Sequence, residues 1–162
     1  MVVDDLAFLE VDAVLRPANH TLEPASSVSN RLDQMAGRAF ADVRQVDTPL
    51  EIGSAVVTTA GELAAPYVLH LVISTDQANA DRTSVRRALE SAWHRTTEWQ
   101  LARVAMPLVG SGAGQLTLED AAELLQSSLR SRPQADYPTE VQLVVDRDAD
   151  KDLIDEVLRR GT

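Results

Sequence analysis

The sequence predicts an α/β sandwich. Short apolar runs rich in β-branched residues alternate along the chain with longer segments whose apolar residues return every three or four positions. A chain of 162 residues, 44% of them hydrophobic, suffices for one domain with a substantial core and would crowd two. The expectation is therefore a single domain over residues 1–162.

Each element has its own signal. "MVVDDLAF" at the amino terminus offers a first strand, and "VDAVL" (Val11 to Leu15) a second. Val28 to Phe40 then reads as a helix packed on one face. "SAVVTT" (Ser54 to Thr59) and "YVLHLVI" (Tyr67 to Ile73) read as strands, followed by a helix from Thr83 to Gln100. "VAMPLV" (Val104 to Val109) precedes a helix from Leu118 to Leu129, and "VQLVV" (Val141 to Val145) precedes a last helix from Ala149 to Arg160. Between them "SRPQADYPTE", Ser131 to Glu140, carries two prolines that discourage helix and reads as a loop.

Composition narrows the chemistry. The chain has no cysteine, which excludes a disulfide framework, a thiolate nucleophile and a thiolate zinc site, and agrees with a reducing compartment. No pair of residues has metal-ligand spacing such as H-x-x-x-H, so no metal and no cofactor is expected. "MVVDDLAFLE" meets acidic residues too early for a signal peptide, and no apolar run approaches the roughly 20 residues of a membrane span. The expectation is a soluble, cytoplasmic protein with no membrane partner. A formal net charge of −10 repels a phosphate backbone at long range and disfavours sequence-independent nucleic-acid binding.

One loop stands out. "PLVGSGAGQLTLEDAAELL", residues 107 to 125, puts three glycines in five positions between an apolar run and an amphipathic helix. Glycines admit positive φ and close approach of a ligand, and a helix N-terminus presents N–H groups to an anion. The loop is not a P-loop, because Gln115 and Leu116 stand where Lys-Ser/Thr is required. Nor is it a dinucleotide fingerprint, since Gly110, Gly112 and Gly114 give G-x-G-x-G late in the chain. A phosphate cradle and a plain strand-to-helix turn both remain open on these residues alone.

A second loop, "RPANHTLEPASSVSNRLDQMAG" (residues 16 to 37), also follows a strand and leads into a helix. With Pro17-Ala18-Asn19, Gly53 to Gly61, Val68-Leu69-His70 and Met106 to Gly112 in that order, the chain resembles the macrodomain family from Asp4 to about Val145. The resemblance implies a three-layer α/β/α sandwich with a mixed, about six-stranded sheet, and a cleft for ADP-ribose at the strand ends. It also implies roles for individual residues. Asp5 matches the aspartate that accepts from the adenine amino group, and Leu6 its neighbour whose backbone meets the base. Asn19 matches the asparagine at the distal ribose, donating to one hydroxyl and accepting from another. Ser26, Ser27 and Val28 on one side, and Ser111, Gly112, Ala113 and Gly114 on the other, match the two backbone loops that hold the diphosphate. Backbone N–H groups at helix N-termini bind an anion without lysine, which reconciles an acidic chain with an anionic ligand.

The departures from the family pattern are specific. Arg16 replaces its first asparagine, and Ala25-Ser26-Ser27 its glycine triplet. Ser29 stands where hydrolytic members carry an aspartate that orients water, and serine is not that carboxylate base. Gly114 and, near the last strand, Asp146 stand where aromatics cover the distal ribose and stack on adenine; Phe8 is an unplaced substitute. The resulting expectation is an ADP-ribose reader, binding ADP-ribose or a related nucleotide diphosphate, free or on an ADP-ribosylated protein, without hydrolysis. Two alternatives stay open: an ADP-ribosyl hydrolase with a rearranged site using Glu23 or His20, and a degenerate fold kept as a protein-interaction scaffold. Among the other side chains, His70 resembles a structural family histidine, His94 reads as part of a solvated helix face, and Trp93 and Trp99 as packing under that helix.

Overall fold

A computed structural model of the chain describes residues 2–3, 9–23, 27–43, 49–75, 77–111, 115–132, 137–145 and 148–160. Among the described residues six strands form one sheet: β1 (Val2–Val3), β2 (Ala13–Asn19), β3 (Ala55–Thr59), β4 (Tyr67–Ser74), β5 (Arg103–Met106) and β6 (Glu140–Val145), in the order β1-β6-β5-β2-β4-β3. All neighbours pair in parallel except β3 with β4, so the sheet is mixed and carries its antiparallel strand at one edge. The helices are α1 (Ser27–Ala36), α2 (Arg38–Val43), α3 (Arg82–Glu98), α4 (Leu118–Ser131) and α5 (Asp148–Arg160).

Strand periodicity divides the core into two faces. On one, Ala13, Leu15, Leu69, Leu71, Ile73, Val104 and Met106 pack with Val85, Leu89 and Trp93 of α3, Ala121 and Leu125 of α4, and Ile154 of α5. On the other, Val14, Val68, Ala105 and Val144 pack with Leu32 and Ala36 of α1 and Phe40 of α2. The sheet thus lies between two helical layers, as expected. Among the described residues no helix is long and apolar enough to cross a membrane.

The elements stop and start for local reasons. α3 begins at a capping box, with Asp81 accepting from the Ser84 N–H at 2.7 Å and Ser84 Oγ accepting from the Asp81 N–H at 2.9 Å. α4 begins at Thr117, whose hydroxyl accepts from the Asp120 N–H at 3.1 Å. The segment expected as one helix from Val28 to Phe40 is two, because Gly37 takes φ +87°, a left-handed value that ends α1. β5 ends at Met106, before Pro107, rather than running on to Val109. β2 outruns the expected Val11 to Leu15 and continues through Arg16 and Pro17 to Asn19. Proline is tolerated there because β5 pairs with β2 only at Ala13 and Val14, leaving Pro17 with a strand partner on one side only.

Candidate functional site

In a sheet of parallel strands, ligands bind in the crevice at the carboxyl ends. Here β2 and β5 are neighbours, and each is followed by a loop that enters a helix, α1 and α4 respectively. Asn19, the last residue of β2, and Ser111, five residues beyond the end of β5, belong to these two loops at the same edge of the sheet. Ser27 and Val28 form the first turn of α1, which opens from the β2 loop. Asp5, Leu6, Ser26, Gly112, Ala113 and Gly114 lie outside the described residues, as do Phe8, Ala25 and Asp146.

The β2 loop is built around Asn19. Its side-chain oxygen accepts from the Thr21 N–H at 3.0 Å, the Thr21 hydroxyl at 2.9 Å and the Glu23 N–H at 3.0 Å, which is an Asx turn extended by one more residue. Its own backbone N–H donates to the Glu23 carbonyl at 3.0 Å. With three donors already on that oxygen, the accepting half of the role expected at a ribose is occupied, and the amide NH2 is what Asn19 has to offer a ligand. The next residue, His20, ties the loop to its neighbours, donating its backbone N–H to Ser74 at 3.0 Å and accepting from Leu50 at 2.7 Å. Glu23 is exposed at the end of this turn.

The β5 loop is closed at its base. The Leu116 N–H donates to the Gly110 carbonyl at 2.9 Å, Ser111 and Leu116 form a parallel bridge, and the Ser111 hydroxyl donates to the Leu108 carbonyl at 2.9 Å. Gly110 has φ +94°, and a Cβ there would lie 2.7 Å from Val85 Cγ2, so this glycine is needed by the turn itself. Of the three glycines in the motif, the first is therefore a packing requirement.

Beneath the β2 loop lies a polar group that sequence reasoning did not assemble. Arg16 is fully buried on the α1–α2 side of the sheet. Its Nε donates to His70 Nδ1 at 2.9 Å and lies 3.4 Å from the Asp33 carboxylate of α1, while Nη2 donates to the Leu22 carbonyl in the β2 loop. The guanidinium sits 5.8 Å from the centroid of the Phe40 ring, which stacks on His70 at 5.7 Å and 18°. His70 Nε2 is 2.8 Å from the Thr58 hydroxyl. The register explains the meeting, since Arg16 pairs with His70 and His70 with Val56 across three adjacent strands. Asp33 and Phe40 arrive from the two helices that follow β2, and their sequence surroundings carry no signal for it.

Of the two tryptophans expected to pack under α3, one does. Trp93 is buried and donates its indole N–H to Ser128 at 3.0 Å, and with Thr97 and Tyr137 it lines a cavity of about 430 Å³ between the last turns of α3 and α4. Trp99 does not pack under the helix: it is 48% exposed and meets Tyr67 edge-on at 5.3 Å. Its position one residue past α3, where the chain turns back toward β5, takes it off the packed face. His94 is exposed, as expected of a solvated helix face.

Comparison with known proteins agrees with this architecture. The family model described as Macro domain matches residues 15–125. A macro domain-containing protein of Cupriavidus necator is 30% identical over 144 residues, covering 80% of this chain and 79% of that protein. Mouse ADP-ribose glycohydrolase MACROD1 is 32% identical over 129 residues, covering 78% of this chain and 40% of the relative. An uncharacterized Mycobacterium tuberculosis protein is 28% identical over 126 residues, and the chain spans only 35% of its length. Among solved structures, the Oceanobacillus iheyensis macrodomain with MES bound superposes with a TM-score of 0.84 at 15% identity, covering 98% of this chain and 89% of that one. The same macrodomain with ADP gives 0.82 at 17% identity, with coverage of 98% and 88%. With its mixed sheet between two helical layers and its match over residues 15–125, this chain belongs to the Macro domain family.

Proposed function

We propose that the chain binds ADP-ribose, or a related nucleotide diphosphate, along the carboxyl edge of β2 and β5, and that it does so without hydrolysing the ligand. The observation that carries this reading is the pair of loops after adjacent parallel strands, each entering a helix N-terminus, in a chain of this family. The family's solved structures include one bound to ADP. In the proposed pose the diphosphate lies between Ser26, Ser27 and Val28 on one side and Ser111 to Gly114 on the other. The Asn19 amide meets the distal ribose, and Asp5 with Leu6 meets adenine. Ser29, the third residue of α1, supplies no carboxylate to orient water, and Arg16, at the family's first asparagine, turns its guanidinium inward to Leu22, His70 and Asp33. A crystal grown with ADP-ribose tests the pose: density across the β2–β5 edge supports it, and density elsewhere, or none at saturating ligand, overturns it.

A hydrolase reading is favoured by one observation, the 32% identity to a protein named ADP-ribose glycohydrolase. Glu23, whose backbone N–H donates to the Asn19 side chain, brings a carboxylate to the end of this turn. Turnover of ADP-ribosylated protein that disappears in Glu23→Ala would establish this second reading in place of the first.

A further inference from the structure

We propose that Arg16 is a positioning residue for the cleft, holding the β2 loop in its ligand-ready shape from inside the protein. The inference rests on the binding reading above for its effect on ligand, but not for its effect on the loop. Three of its contacts run to three different parts of the fold. Nη2 fixes the Leu22 carbonyl at the centre of the loop, Nε meets His70 of β4, and the guanidinium charge faces Asp33 of α1, the helix whose first turn follows that loop. Leu22 itself has φ +62°, an unfavourable value for a side-chain-bearing residue, so the loop needs an external hold at this point. The Leu22 side chain is buried against Ala18 and Val72, and its N–H donates to the Asn19 carbonyl at 2.9 Å. The guanidinium therefore secures the turn in which Asn19 holds Thr21 and Glu23.

The planar fork matters as well as the charge. Nε and Nη2 are separate donors with a fixed spacing, and they serve His70 and Leu22 at once. A lysine would keep a positive charge near Asp33 but offer a single nitrogen. His70 is set in turn by Thr58, so the hold on the loop extends across β2, β4 and β3.

The test compares wild type with Arg16→Lys by amide hydrogen exchange without ligand and by ADP-ribose titration. In the folded variant, exchange at Thr21, Leu22 and Glu23 should accelerate about tenfold or more while amides of α4 and β6 keep their rates, which a general loss of stability would not produce. Affinity for ADP-ribose should fall about tenfold, through lost preorganisation of the loop. Unchanged loop exchange in the folded variant overturns the proposal. If Arg16→Lys does not fold, Thr58→Val, which loosens His70 and leaves Arg16 in place, should raise exchange in the same three amides to a smaller degree; no rise there overturns it equally. A wild-type chain that binds no ADP-ribose contradicts the binding reading, and the exchange comparison in ligand-free protein still decides the role of Arg16.

Discussion

Arg16 Nε donates to His70 Nδ1 across 2.9 Å in the buried centre of the sheet, and this one bond fixes the state of the histidine. A guanidinium nitrogen has only protons to give, so Nδ1 must accept and the ring is neutral with its proton on Nε2. That proton then goes to the Thr58 hydroxyl at 2.8 Å, and the hydroxyl donates on to the Thr59 carbonyl at 3.1 Å. Nitrogen-15 spectra should show His70 as the Nε2–H tautomer, and a charged ring at neutral pH would contradict the arrangement. Thr58→Val should cost about 1 kcal/mol of stability, the ordinary value of one hydrogen bond.

The same cluster contains a charge that depends on its partner. Asp33 faces the fully buried Arg16, with its own side chain only 10% exposed. Asp33→Ala should therefore destabilise by about 3 kcal/mol, because it removes a carboxylate that faces a buried cation. Asp33→Asn should be the milder change, since the amide keeps the shape of the side chain and a dipole beside the guanidinium. Chemical denaturation of both variants measures the difference.

Two glycines of one loop should behave differently. Gly110→Ala acts on the fold, because φ +94° and a Cβ 2.7 Å from Val85 cannot coexist without movement. Its thermal midpoint should fall, by a loss of about 2 kcal/mol. Gly112→Val should instead obstruct the diphosphate: the thermal midpoint holds and ADP-ribose affinity drops. A stable Gly112→Val variant that binds like wild type would remove the phosphate-loop assignment.

At the adenine end, Asp5→Ala should weaken ADP-ribose binding by about 1.5–3 kcal/mol, roughly ten- to hundredfold, as expected for loss of a hydrogen bond to a charged acceptor. Unchanged affinity in the folded variant would refute the pose.

Hydrolysis of ADP-ribosylated aspartate or glutamate should stay at background, since Ser29 brings no carboxylate to the first turn of α1. Robust release of ADP-ribose by wild type would contradict this.

Much of this fold was legible because its elements carry clean periodicities. The runs at Tyr67 and Val141 and the helices after Asp81 and Thr117 fall within a residue or two of their expected bounds. The misreadings have local causes. Apolar spacing runs unbroken through Gly37, and only its left-handed φ separates α1 from α2. Arg16-Pro17 looks like the end of a strand, yet the strand continues because the arginine finds buried partners and the proline needs a neighbour on one side only. The site was legible as motifs and order; the engagement of the Asn19 oxygen within its own turn was not, since it depends on how the loop closes. Least legible was the Arg16 cluster: Asp33, Phe40, Thr58 and His70 become neighbours only when β3, β4, α1 and α2 assemble around β2.

Titration calorimetry of the wild-type chain with ADP-ribose tests the central claim most directly. The account predicts saturable one-to-one binding that Gly112→Val and Asp5→Ala each weaken while remaining folded. No heat of binding and no shift in thermal midpoint at ligand far in excess of the protein would contradict it.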